Sequence, residues 1–238
     1  MKVAIFIVSI IALAAIGFGG YLYLEQDKMA ANLNSLNDKI QEKDFSIDQL
    51  KQENDRVVKE LETKISEISQ EKENEINKLK GTYDELVEGM KQEIDDGKIK
   101  ITRLADRLSV SMVDKILFPS GESEITPEGV AVLERVGNVL KNTQDKIIRV
   151  EGHTDNVPIS SKLRMQYPTN WELSNARATH VVRFLQDKVE IAPERLEAVG
   201  MSEYHPVATN ETAEGRSQNR RIEIILLPNM ESSDLASE

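Results

Sequence analysis

Gly152-His153-Thr154-Asp155-Asn156 is followed, after a polar loop, by Asn170-Trp171-Glu172-Leu173-Ser174-Asn175-Ala176-Arg177-Ala178. Further on comes Gly215-Arg216-Ser217-Gln218-Asn219-Arg220-Arg221-Ile222-Glu223. The first segment closes a short apolar run, Ile147–Glu151, which reads as a strand ending at Gly152. The second opens a helix over Asn170–Lys188, with Ala178, Val181, Val182 and Leu185 on its buried face. The third leads into another strand, Arg220–Leu227. An acid just past a strand end, an arginine in the first turns of the next helix and an arginine pair opening a later strand could converge on one small zwitterion. Such a ligand needs a carboxylate for its ammonium and a planar guanidinium fork for its own carboxylate.

The neighbouring sequence completes a domain. Leu108, Val110, Met112 and Asp114 alternate with Ser109, Ser111 and Val113, as a strand does. Thr126-Pro127-Glu128 opens a helix, with Thr as N-cap, Pro in the first turn and Glu at the positive helix end. Its inward face is Val130, Leu133, Val136, Val139 and Leu140, and Arg195–Gly200 reads as a further strand. Two βα units and a final strand predict an α/β fold over residues 108–228, specifically a two-layer α+β sandwich of βαβαββ type. Residues 229–238 are polar and acidic and are expected to be a disordered tail.

The first half of the chain is different. All seven prolines lie at or after Pro119, so no strong helix breaker precedes it. Val3 to Leu24 is apolar and uncharged. As a helix these residues rise about 33 Å, enough to cross a bilayer core. Residues 1–27 are therefore expected to be a transmembrane anchor. Lys2 before it and Glu25 and Asp27 after it place the N-terminus in the cytoplasm and the remainder outside. The rival reading is a cleaved signal peptide with Ala12-Leu13-Ala14 as the cleavage site. Hydrophobicity continuing through Ile16, Phe18 and Leu22 favours the uncleaved anchor.

Residues 28–107 carry apolar side chains at steps of three and four. The stripe runs through Met29, Leu33, Leu36, Ile40, Ile47, Leu50, Val57, Leu61, Ile65 and Ile68, and resumes at Ile76, Leu79, Tyr83, Leu86, Met90, Ile94, Ile101, Leu104 and Leu108. So narrow a stripe predicts a coiled coil, most simply a parallel homodimer. Asn54 on the stripe is of the kind that fixes register. The eleven-residue steps from Ile65 to Ile76 and from Met90 to Ile101 interrupt it. Gly81, Gly89 and Gly97 weaken its second half. Fully helical, it would reach roughly 120 Å.

Charge and composition exclude several classes. Thirty basic against forty-one acidic residues give a net charge of −11, which argues against nucleic acid. The chain has no cysteine, which excludes disulfides, thiolate catalysis and a lipidated N-terminal cysteine. His153, His180 and His205 lack metal-ligand spacing, and neither a metal nor another cofactor is expected. Ser174 fits helix-start chemistry better than a nucleophile's place. Asn210-Glu211-Thr212 has the form of a glycosylation acceptor.

The three segments quoted first resemble the OmpA-like (OmpA/MotB) peptidoglycan-binding domain over roughly residues 108–228. Asn156-Val157-Pro158-Ile159 and Pro168-Thr169-Asn170-Trp171 are nearest its MotB branch. The resemblance implies binding of the diaminopimelate of the bacterial cell wall, without catalysis. It implies that Asp155 meets the ligand ammonium and Arg177 its carboxylate, with Thr154, Asn170, Leu173, Arg220 and Arg221 lining or supporting the site. The plainer alternatives are an Asx turn for Asp155 and a surface ion pair with Glu172 or Glu223 for Arg177. The function expected is a tether between the inner membrane and peptidoglycan, with an inner-membrane protein as a further partner. The alternative is a flagellar-motor stator subunit. Against it, Val3–Leu24 has no Asp, Glu, Lys, Arg or His to carry an ion.

Overall fold

The structure, a computed structural model, describes residues 2–104, 107–119 and 121–229; the side chains of 2–6, 8, 9 and 12 lie outside that description. The chain divides into two compact units, Met1–Ser69 and Gln70–Glu238. Helix α1 (Lys2–Gly89) is 88 residues long. Lysine, glutamate, leucine and glutamine propagate it at little cost per residue. Pairs one turn apart, such as Lys64–Glu60 at 2.9 Å and Arg56–Glu53 at 2.8 Å, add a few tenths of a kcal/mol each.

In the first unit the apolar stripe is bare. Leu33, Ile40, Leu50, Leu61 and Ile65 are each more than half exposed. Among the described residues, no helix is long and apolar enough to cross a membrane. Much of the expected anchor, the side chains of Val3–Phe6, Val8, Ser9 and Ala12, falls outside the description. So do residues 230–238, nearly all of the expected tail.

The helix expected over 28–107 is corrected at its C-terminal end. After α1 come a short helix, α2 (Lys91–Asp95), and a turn at Gly97, whose φ of +68° is the left-handed conformation glycine tolerates. Strand β1 (Ile99–Leu104) then pairs antiparallel with β2 (Arg107–Val113), setting Ile99 against Met112 and Ile101 against Val110. Ile99-Lys100-Ile101-Thr102 alternates with β-branched residues, which favours a strand. Ile101 and Leu104 met the helical spacing by coincidence. Leu79, Leu86 and Met90, also read as coiled-coil stripe, are buried in the core of the second unit.

That core follows the sandwich pattern. The five strands lie in the order β1-β2-β5-β3-β4, where β3 is Lys146–His153, β4 Leu196–Ser202 and β5 Arg221–Pro228. Among the described residues only β3 and β4 pair in parallel, and the crossover they require is helix α5 (Asn170–Asp187). Helix α4 (Pro127–Lys141) starts at Thr126, whose side chain accepts from Gly129 N at 2.9 Å. Leu133, Val136 and Leu140 of α4 and Val181 and Leu185 of α5 meet Val110, Met112, Ile148, Val150, Ile222 and Ile224 of the sheet. Two short helices, α3 (Asp114–Leu117) and α6 (Ala213–Asn219), lead out of β2 and into β5.

Candidate functional site

Strand register builds one end of the sheet. Val113, Arg221 and His153 lie opposite one another on β2, β5 and β3. One residue beyond each stand Asp114, Arg220 and Thr154. The ladder continues there, with Asp114 N donating to Arg220 O at 2.9 Å and Thr154 N to Ser202 O at 2.9 Å. Because side chains alternate along a strand, these three share the helix-covered face with Met112 and Ile222.

Helix α5 brings the second wall. Thr169 and Glu172 form a capping box: Glu172 Oε2 accepts from Thr169 N at 2.8 Å, and Thr169 Oγ1 accepts from Trp171 N at 3.2 Å. Asn170, the first residue of the helix, donates from Nδ2 to Val157 O at 3.2 Å and Glu203 Oε2 at 2.6 Å, pinning the loop after β3. The helix lies hard on β3 and β4. Ser174 is fully buried, and its hydroxyl donates to Trp171 O at 3.0 Å and accepts from Ser202 N at 3.1 Å.

The two walls enclose a cleft of about 1060 Å³, lined by Asp114, Thr154, Asp155, Asn170, Leu173, Arg177 and Arg220 among others. Its charges alternate. Asp155 Oδ2 is bonded by Arg220 Nη1, while Asp155 Oδ1 accepts from Val157 N at 3.0 Å. The Asx turn weighed from the sequence therefore coexists with a place in the cleft. Arg177 pairs with neither Glu172 nor Glu223. Its Nη1 lies 3.0 Å from Asp114 Oδ2, its Nε donates to Glu122 O at 2.9 Å, and its guanidinium sits 5.1 Å from the Phe118 ring centre. Asp114, Asp155 and Arg177 are all buried, whereas 39% of the Arg220 side chain is open to solvent. Burial pushes the Asp114 carboxyl up to about 6 although Arg177 and Arg220 pull it down. Burial lowers Arg177, opposed chiefly by Asp114. Thr154 Oγ1 is buried with no hydrogen-bond partner among the described residues.

The structure thus gathers Asp155, Arg177, Thr154, Asn170, Leu173 and Arg220. It does not bring Arg221 to them. Alternation turns Arg221 to the opposite face, where Nη1 donates to His205 O at 3.2 Å and Nη2 lies 3.4 Å from Glu223 Oε2. Glu151 and His153 share that face, with His153 Nε2 3.5 Å from Glu151 Oε2, and the contact lowers the Glu151 carboxyl. Asp114 was not among the residues expected at the site. Its signal was an acid at the inward parity of Leu108, Val110 and Met112. Chemically, the cleft offers two carboxylates and two guanidinium groups already paired with each other. A zwitterionic group could exchange into those pairs.

A model of the OmpA family matches residues 117–220. Motility protein B of Bacillus subtilis (strain 168) is 32% identical over 157 residues, 63% of this chain and 59% of that protein. Peptidoglycan-binding protein ArfA of Mycobacterium tuberculosis (strain ATCC 25618 / H37Rv) is 32% identical over 111 residues, 47% of this chain and 32% of that protein. The solved cell wall anchor of the T6SS from Pseudomonas aeruginosa is 34% identical, with a TM-score of 0.55 covering 60% of this chain and 97% of that one. The chain spans less than two thirds of the length of either curated relative.

Proposed function

The chain belongs to the OmpA family, and from that premise we propose that its C-terminal unit binds peptidoglycan by holding diaminopimelate, without acting on it chemically. The observation that carries this reading is the alternating quartet of Asp114, Arg177, Asp155 and Arg220 in one cleft. The ligand ammonium takes the place of Arg220 at Asp155, and its carboxylate joins Arg177. Arg220, with its side chain partly in solvent, is the partner free to move aside. Thr154 offers the ligand an uncommitted buried hydroxyl. Ser174, the nucleophile weighed from the sequence, has its hydroxyl committed on both sides. ArfA is a peptidoglycan-binding protein by name and the T6SS protein a cell wall anchor, which supports the same reading.

Asp155→Asn tests it. The substitution keeps shape and removes the charge that receives the ammonium. Its former partner Arg220 can turn to water, so the fold should stand. Retention on purified sacculi is expected to fall about tenfold or more. Undiminished retention by a well-folded variant would sink the assignment.

The rest of the chain makes the binder a tether. Val3–Leu24, apolar and free of charge, is the inner-membrane anchor, with the C-terminal unit in the periplasm. The bare stripe from Met29 to Ile68 pairs with a second copy as a parallel coiled coil. Sedimentation of the full chain at micromolar concentration should show a dimer. Asn54→Leu should raise its stability and loosen its strand number; a monomer throughout rules the pairing out. The similarity to motility protein B keeps a stator role as the second reading. The absence of Asp, Glu, Lys, Arg and His from Val3 to Leu24 counts against it, since an ion pathway needs such a group.

A further inference from the structure

Trp171 and Tyr204 are large aromatics left outside the core. Their ring centres are 5.5 Å apart and their planes differ by 30°. Yet 48% of Trp171 and 64% of Tyr204 stays exposed, and neither joins an apolar cluster of the fold. Both are fastened to one wall of the cleft. Trp171 follows Asn170, and the capping box holds its backbone. Tyr204 follows Glu203, whose carboxylate is bound by Asn170 Nδ2. An exposed aromatic pair held rigid beside a ligand cleft, with no packing role, has the character of a contact surface.

We propose that Trp171 and Tyr204 form a shelf for pyranose rings, so that the unit takes hold of the glycan strand of peptidoglycan beside the stem peptide. The proposal rests on the wall-binding reading and adds a second point of contact to it. The C–H face of a β-linked sugar is apolar and faintly positive, and it stacks on the negative face of an aromatic ring. Glu203 precedes Tyr204 in sequence, and its carboxylate, bound on one side by Asn170 Nδ2, has lone pairs left to accept a sugar hydroxyl or acetamido hydrogen bond. A glycan whose acid groups are capped by peptide is uncharged, so a chain of net charge −11 does not repel it. Nucleic-acid bases also stack on aromatics, but they bring phosphates that this acidic surface would repel.

Trp171 is the only tryptophan, so its emission reports on this shelf alone. The full-length chain is titrated with meso-diaminopimelate, with a disaccharide-peptide muropeptide and with an N-acetylglucosamine oligomer. The muropeptide and the oligomer should shift Trp171 emission. Trp171→Ala and Tyr204→Ala should each weaken muropeptide binding by roughly tenfold while diaminopimelate binding, read by calorimetry, stays at the wild-type level. Trp171→Phe, which keeps an aromatic face, should retain most of the muropeptide affinity. If both alanine variants bind muropeptide and diaminopimelate as the wild type does, the shelf is wrong and the wall-binding reading stands. If the wild type binds no diaminopimelate, muropeptide or sacculi, both fall together.

Discussion

Arg177→Ala is expected to destabilise the C-terminal unit by about 3–5 kcal/mol near neutral pH and to abolish wall binding. Arg177 is held by an ion pair with Asp114, a hydrogen bond to Glu122 O and the face of Phe118. Truncating it leaves the Asp114 carboxylate buried without its nearest countercharge, and the Glu122 carbonyl without its donor. The loss should depend on pH in a definite direction. The folded-state carboxyl of Asp114 already stands at about 6, above its ordinary 3.8. Without Arg177 it rises further. The folded state then holds the extra proton over a wider window, and stability falls as pH climbs from the unfolded value through the folded one. Denaturant midpoints should therefore show a small gap between wild type and variant near pH 5 and a wide one near pH 8. Adding Asp114→Asn should recover part of the loss at the higher pH. A gap that is the same at both pH values would mean that the Asp114 pair is not the cause. Asp155→Asn should contrast with this, losing binding with little loss of fold, because its partner Arg220 has access to water.

Particular residues show how far the sequence speaks for the fold. Most of the inward faces of α4 and α5 follows from 3.6-residue spacing, although Val132 and not Val130 enters the α4 core, and β2 follows from simple alternation, because each buries against a single neighbouring layer. Strand β1 does not follow. Ile101 and Leu104 satisfy helical spacing as well as strand spacing, and only the pairing with β2, a tertiary contact, decides between them. Leu79, Leu86 and Met90 fit a coiled-coil stripe equally well whether a partner helix or the domain's own core covers them. At the site, the motifs marked Asp155 and Arg177 but not whom they touch. Asp114 reaches Arg177 across the layers from just past the end of β2, a distance no local pattern encodes. Arg220 and Arg221 look interchangeable in sequence, but strand parity sends one into the cleft and the other to the opposite face.

Gly152→Ala is expected to damage fold and site together, although Gly152 contributes no side chain to either. A Cβ at this position would lie 2.1 Å from Ser174 O and 2.9 Å from Ser174 C. Both are backbone atoms of α5, so no rotamer change relieves the contact and the helix must lift from β3. Overpacking of this kind costs roughly 1–3 kcal/mol where side chains can shift, and more where backbone must. The displacement also reaches the cleft. β3 leads to Thr154 and Asp155, whereas α5 carries Asn170, Leu173 and Arg177, so separating the two elements pulls the acid and the arginine apart. Misplacing paired charges by about 1 Å is enough to lose most of a positioned interaction. Gly97→Ala is the control. Its φ is also unfavourable for alanine, but nothing lies within 4 Å of the added carbon. It should cost about 1 kcal/mol and leave binding intact. Thermal melts read alongside sacculus retention separate the two glycines. Should Gly152→Ala melt with the wild type and still bind the wall, the close seating of α5 on β3, and with it the geometry assigned to the site, would have to be abandoned.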